Sequence, residues 1–315
     1  MLVKPTLRQV DFMYNYFLWL GVNTMNYALE AYKLTNRISS VIAPRWAAKN
    51  AGTKFLKPNR FAIKVWEHEA EQVGMRFELS EELSAIRWAK SESKYDKLLT
   101  NTEPSKKGKQ ILLVHGWESR ATQMYGLVKG FVEQGYTVFA VDMPGHGHSS
   151  GETSNAYLFS ETVRLAQKEL GHFHAIIGHS MGASASAIAV GNGVTTDKLV
   201  LISGASSIES VLRRFSEFVG LNTNTTHKFV EFISHTVGVT TKDLDAAELL
   251  QSCDIPALII HDESDIEVPV SESKRLAPLF NDAELFVTQG LGHRKILQSE
   301  AVKTKISSFV NAVAC

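Results

Sequence analysis

The chain has 315 residues, 44% hydrophobic and 21% charged, the composition of a soluble globular protein with room for one large domain or two ordinary ones. Its 33 basic and 33 acidic side chains cancel, so no bulk charge recommends nucleic acid or anionic lipid as a partner. The two cysteines, Cys253 and Cys315, form no metal-ligand pattern, and such sparse use fits a reducing, cytoplasmic compartment.

Asp11 and Glu30 bound an uncharged stretch, FMYNYFLWLGVNTMNYAL. As a helix it would be about 27 Å long, just short of a bilayer core. Asn15, Asn23 and Asn26 share one side of that helix with Glu30 and Lys33, leaving a broad apolar face beside a polar stripe. A spanning helix has no use for such a stripe, and no small-residue cleavage site closes the run promptly. The stretch therefore reads as a helix packed on its own domain or on a second copy of the chain, which would make a homo-oligomer. An interfacial membrane helix is the alternative. Residues 1–70 as a whole read as a mostly helical extension, separate from a second unit over 71–315.

MRFELS and LSAIRWAK then alternate apolar and polar residues as half-buried strands do. NTEPSKKGKQ (101–110), with Pro104 and Gly108, reads as an exposed turn. From Gln110 the character changes. ILLVHG, TVFAVDMPG, HAIIGHS, KLVLISG, ALIIHDESD and AELFVTQGLGH are short apolar runs, each followed by a turn and a helical stretch. Continuous apolar strands alternating with helices imply an α/β fold with a mostly parallel sheet covered on both faces. In such sheets functional groups gather at the carboxyl ends of the strands. After LISGAS, about 45 residues pass before the next strand, and SVLRRFSEFVG and THKFVEFISHTVG within them have helical spacing. A plain crossover needs only a dozen or so residues, so residues 205–250 read as a small helical cap. Its Phe215, Phe218, Phe229 and Phe232 form two pairs spaced three apart, each pair on one helix face. They are candidates for an apolar acyl pocket.

Ser180 stands in GHSMG, between a buried strand and a helix of small residues. A sharp strand-to-helix turn leaves room for little more than hydrogen on the flanking residues, and it holds the serine hydroxyl exposed. A serine needs a base, and His293 in VTQGLGHRKI follows the last strand on a glycine-bearing loop that can reach the same sheet edge. HDESDIEVP offers the acid. Asp262 comes directly off the strand and is placed to cap the turn, whereas Asp265 is far enough along to turn back towards His293. The order Ser180, Asp265, His293 is serine, acid, histidine. LLVHGW ends another strand, so the backbone N–H groups of Trp117 and Met181 are candidates for an oxyanion hole. His115 reads as a brace for its loop, and Asp142 and His146 in DMPGHGHSSG as turn-formers.

HGW, DMPGHGHSSG, GHSMG, HDESDIEVP and GLGH resemble, in order and spacing, the motifs of the α/β-hydrolase superfamily in its serine esterase and lipase branch. The resemblance spans residues from about 75 to 315. It implies an eight-stranded mostly parallel sheet with a helical cap after the sixth strand. One departure is Asp262, where many relatives carry glycine after the histidine. Relatives that open epoxides or remove halide place aspartate at the nucleophile, so Ser180 directs the reading to acyl chemistry through an acyl-enzyme. A small carboxylic ester, short to medium in its acyl chain, is the expected substrate. Thioester hydrolysis or acyl transfer by the same residues, or a non-catalytic binding module, stay open. Neither a cofactor nor a metal is expected.

Overall fold

The computed structural model describes residues 27–90, 108–251 and 253–312. Most of the apolar stretch over residues 11–30 and of the 101–110 turn lies outside them, as does Cys315. The described chain begins with α1 (Tyr27–Ile42) and α2 (Pro44–Phe55). Pro44 stands in the first turn of α2, where its missing N–H is no loss.

Residues 57–64 carry no helix and interrupt an otherwise mostly helical run over the described residues up to 70. Pro58 cannot donate to a helix ladder, and the segment's polar groups are engaged elsewhere. Arg60 donates to the carbonyls of Gly147 (2.7 Å), Ser149 (2.6 Å) and Gly151 (3.0 Å), and Asn59 Nδ2 donates to Glu118 at 2.8 Å. This strap thus ties down the loops after two strands.

Next in the chain come α3 (Glu67–Val73), β1 (Met75–Ser80), β2 (Leu83–Trp88), β3 (Gln110–Val114), α4 (Val128–Glu133), β4 (Thr137–Val141), α5 (Ala156–Leu170) and β5 (Phe173–His179). They are followed by α6 (Met181–Gly191), β6 (Thr196–Ile202), α7 (Ile208–Phe218), α8 (Thr223–Val237), α9 (Ala246–Leu249) and β7 (Ala257–Asp262). α10 (Val270–Leu276), β8 (Ala283–Thr288), α11 (Gly292–Lys295) and α12 (Glu300–Asn311) complete it.

The strands form one eight-stranded sheet in the order β1-β2-β4-β3-β5-β6-β7-β8. β1 pairs antiparallel with β2 and β2 with β4, and every other pair is parallel, with registers such as Leu112 opposite Ile176. Side chains alternate between two cores, as a pleated strand requires. Leu112, Val114 and Ile176 pack with Val163 and Ala183 on one face. Ile111, Leu113 and Ile177 pack with Val302 and Ile306 on the other. All seven residues of β5 are buried, which is why the central strands read as unbroken apolar runs.

A third core joins α2 to the helices between β6 and β7, with Ala47, Ala48 and Ala51 against Leu212, Phe215 and Phe229. Buried polar groups fix the docking. Asn36 Nδ2 donates to the carbonyl of Val219 at 2.9 Å, and Ser40 O accepts from Asn222 Nδ2 at 3.1 Å and Thr225 Oγ1 at 3.2 Å. Among the described residues no helix is long and apolar enough to cross a membrane.

Candidate active site

Ser180 stands between β5 and α6 with φ 56° and ψ −122°, a conformation that L-residues rarely adopt. The neighbouring glycines make that turn feasible. A Cβ on Gly178 would lie 2.5 Å from the carbonyl oxygen of Gly182, and one on Gly182 would collide with the carbonyl oxygens of Val114 and His115. The strained serine is pinned, since its N–H donates to Ile202 O at 2.8 Å and its carbonyl accepts from Ala183 and Ser184.

The structure brings Ser180, His293 and Asp265 into one hydrogen-bonded chain. His293 Nδ1 is 2.7 Å from Asp265 Oδ2, and His293 Nε2 is 2.8 Å from Ser180 Oγ. An ionised carboxylate only accepts, so the ring proton sits on Nδ1, and Nε2 accepts from the serine hydroxyl. Burial opposes ionisation of Asp265. Hydrogen bonds from His261, His293 and the Val268 amide outweigh it and hold the carboxyl well below the usual range. The other oxygen of Asp265 accepts from the amides of Glu267 and Val268, both at 2.9 Å, which fixes the carboxylate plane.

Asp262 has a different environment. Its oxygens accept from the amides of Ser264 (2.9 Å), Leu291 (3.0 Å) and Gly292 (2.9 Å) and from Thr288 Oγ1 (2.8 Å). It joins the end of β7 to the loop that carries His293, and its oxygens go to the loop rather than to the imidazole. His179 was not singled out in the sequence, yet its Nε2–H donates to the carbonyl of His293 at 2.9 Å. Burial, and then the neighbouring His293, lower its pKa to about 3, so the ring is neutral and holds the loop from beneath.

Trp117 and Met181 flank the serine from two strand ends. Among the described residues neither backbone N–H has a hydrogen-bond partner. The loop carrying Trp117 is built on two histidines. His115 donates from Nδ1 to Gly116 O at 2.7 Å and accepts the Met143 amide at Nε2, 3.0 Å away. His146 donates from Nδ1 to Pro144 O at 2.9 Å and accepts the Glu118 amide at 3.0 Å. Burial keeps both rings neutral, His146 with its pKa down to about 3. Asp142 is fully buried and accepts from the Ala121 and His148 amides and from Arg76 Nη1, holding the turn together.

A cavity of about 110 Å³ opens beside Ser180 and His293. Phe215 and Phe218 line it, with Trp117 and Met181. Phe229 and Phe232 do not, which corrects the four-phenylalanine pocket. Phe229 packs behind Phe215, ring centroids 5.7 Å apart, and is fully buried in the core shared with α2. Phe232 packs on Gly52 of α2 at the edge of the same core. Their place in the wall is taken by Phe55, from a segment with no sequence motif. Two charged groups also line the cavity: Arg214 and Glu267. Glu267 Oε2 is 3.5 Å from His293 Nε2, and burial raises its pKa although His293 and Arg294 oppose the shift. Among the described residues no group of three or more His, Cys, Asp or Glu is arranged to hold a metal ion.

Comparison with known proteins places this geometry in context. Residues 111–302, more than half of the chain, match the model of the alpha/beta hydrolase family. No curated protein matches the sequence. Among solved structures, the esterase Pf2001 of Pyrococcus furiosus is similar with a TM-score of 0.58 and 18% identity, over 81% of this chain and 98% of that one. Est1E of Butyrivibrio proteoclasticus, solved with ferulic acid bound, gives 0.57 and 16%, over 76% and 100%. MGS-MChE2, an alpha/beta hydrolase from a lagoon-sediment metagenome of Mar Chica, Morocco, gives 0.53 and 16%, over 75% and 97%. At such identities the likeness is one of fold.

Proposed function

Since this chain belongs to the alpha/beta hydrolase family, we propose that it is a serine hydrolase that cleaves carboxylic esters of short to medium acyl chain. The observation that carries the reading is the unbroken Ser180–His293–Asp265 chain, 2.8 Å and 2.7 Å, at the wall of a largely apolar cavity. That the similar Pf2001 is an esterase by name supports the choice of substrate class.

In this reading Ser180 Oγ attacks the ester carbonyl while His293 Nε2 takes its proton. The tetrahedral oxyanion accepts from the amides of Trp117 and Met181. One such donor contributes about 3 kcal/mol to lowering the barrier. Asp265 keeps the imidazole in the tautomer that can accept that proton, and it stabilises the imidazolium. His293 then delivers the proton to the departing alcohol, leaving an acyl group on Ser180. Water, deprotonated by the same Nε2, attacks the acyl carbonyl and releases the acid and the serine.

The test is hydrolysis of aryl esters of increasing acyl length, with one thioester and one anilide alongside. Ester turnover with a maximum at short to medium chains supports the proposal. A thioester turned over far faster than the matched ester would move the activity to thioesters, and no turnover of any of them would sink it.

A further inference from the structure

We propose that the cavity beside Ser180 contains an anion subsite at Arg214, and that the substrate carries a free carboxylate a few bonds from its scissile ester. The inference deepens the esterase reading and rests on it for the word ester, though not for the carboxylate.

Arg214 stands on α7 in a wall otherwise made largely of aromatic and aliphatic side chains. A guanidinium placed there loses hydration, so it needs partners. It has them on one side only. Nη1 donates to Glu272 Oε1 at 2.8 Å and to Ser210 Oγ at 3.0 Å. Nε and Nη2 have no partner among the described residues. Those two donors form one edge of the planar fork, the edge that takes a carboxylate through two parallel hydrogen bonds.

The bland alternative is that Arg214 only neutralises Glu272. Glu272, however, is already well supplied. Its carboxylate accepts from the Ser206 amide at 2.9 Å, from Ser206 Oγ at 2.5 Å and from Ser210 Oγ at 2.6 Å. A carboxylate held by that many donors does not depend on the arginine, and the dependence runs the other way. Glu272 and Ser210 fix the guanidinium by one nitrogen, with 30% of the side chain still exposed to an incoming group. Glu267, the acid that lines the cavity, does not satisfy it. Its carboxylate accepts from Arg294 Nε at 3.1 Å and lies against His293.

The experiment uses full-length Ser180→Ala protein, which binds esters without turning them over. Calorimetry compares a monoaryl glutarate with the aryl pentanoate of matched length. We expect the glutarate to bind at least about ten-fold more tightly, the scale of one charge-assisted pair. Adding Arg214→Met should bring the two affinities together, while Arg214→Lys should restore part of the difference, keeping the charge but not the fork. Equal affinity of the two ligands in the Ser180→Ala protein overturns the subsite without any need for the arginine variants. Equal weakening of both ligands by Arg214→Met overturns it as well. If the glutarate is preferred but wild-type enzyme hydrolyses neither ester, the subsite stands and ester hydrolysis falls.

Discussion

Glu267 Oε2 lies 3.5 Å from His293 Nε2, the nitrogen that also holds Ser180 Oγ at 2.8 Å. Burial raises the pKa of Glu267, while His293 and Arg294 oppose the shift. The general base of the proposed mechanism therefore faces two acids, Asp265 behind it and Glu267 beside its reactive nitrogen.

Glu267→Gln removes the ionisable group and keeps the shape. Burial places the ionisation of Glu267 above the usual carboxylate range, so wild type should show a step on the acid side of its kcat/KM profile that the variant lacks. Paired pH–rate profiles read this directly. Superposable profiles would remove Glu267 from the titration of the site.

The two aspartates of HDESD are separable. Asp265→Asn leaves His293 without the acceptor that sets its tautomer, and kcat should fall by about 10³–10⁴. Asp262→Asn breaks contacts within the loop rather than with the imidazole. It should cost about 1–3 kcal/mol of stability, with a much smaller loss of kcat per folded molecule. Melting curves and kcat at equal folded fraction decide between them. A larger kcat loss for the Asp262 variant would reverse the assignment.

Phe218 and Phe229 should part company in the same way. Phe229 is fully buried between Phe215 and Phe55, so Phe229→Ala should destabilise the fold by about 3–5 kcal/mol. Phe218 is only partly buried and lines the cavity, so Phe218→Ala should instead shift the preferred acyl length upward with a small change in Tm. A Tm loss at Phe218 equal to that at Phe229, with no change in acyl preference, would contradict this division.

Burial raises the pKa of Asp142 and of Asp265, but hydrogen bonds and neighbouring cations prevail, and both end well below the usual carboxylate range. A carboxyl with a depressed native pKa binds its proton more weakly folded than unfolded. Its stabilisation is therefore complete above the unfolded value of about 4 and is lost as pH falls below it. Thermal stability should be level with respect to these groups near neutral pH and decline steeply below about pH 4. Asp142→Asn should lower Tm at neutral pH and make the acid decline shallower. An unchanged acid decline in that variant would remove Asp142 from the account.

How much of this could be read in the chain differs from residue to residue. β5 and β7 were legible because strands buried on both faces read as unbroken apolar runs, and their carboxyl ends then pointed to Ser180 and Asp265. Asp262 was legible as a turn cap from its place directly after the strand. The aromatic wall was only half legible. Spacing of three put Phe229 and Phe232 on one helix face, but spacing does not say which neighbour that face meets. The neighbour is α2, whose Gly52 is covered by Phe232 and whose Phe55 enters the cavity. Both contacts join segments far apart in the chain, and no local pattern announces them. His179 was hidden inside GHSMG itself, where the position before the serine reads as filler until its ring is seen on His293 O.

Whether Ser180 is a nucleophile activated by His293 can be read by treating the folded protein with a fluorophosphonate probe and locating the adduct by mass spectrometry, in wild type, Ser180→Ala and His293→Ala. Wild type should carry one adduct per chain on Ser180, formed as ester hydrolysis disappears, with none in Ser180→Ala and strongly slowed labelling in His293→Ala. Labelling at another serine, or a folded Ser180→Ala protein that still turns over esters at the wild-type rate, would contradict this role of Ser180.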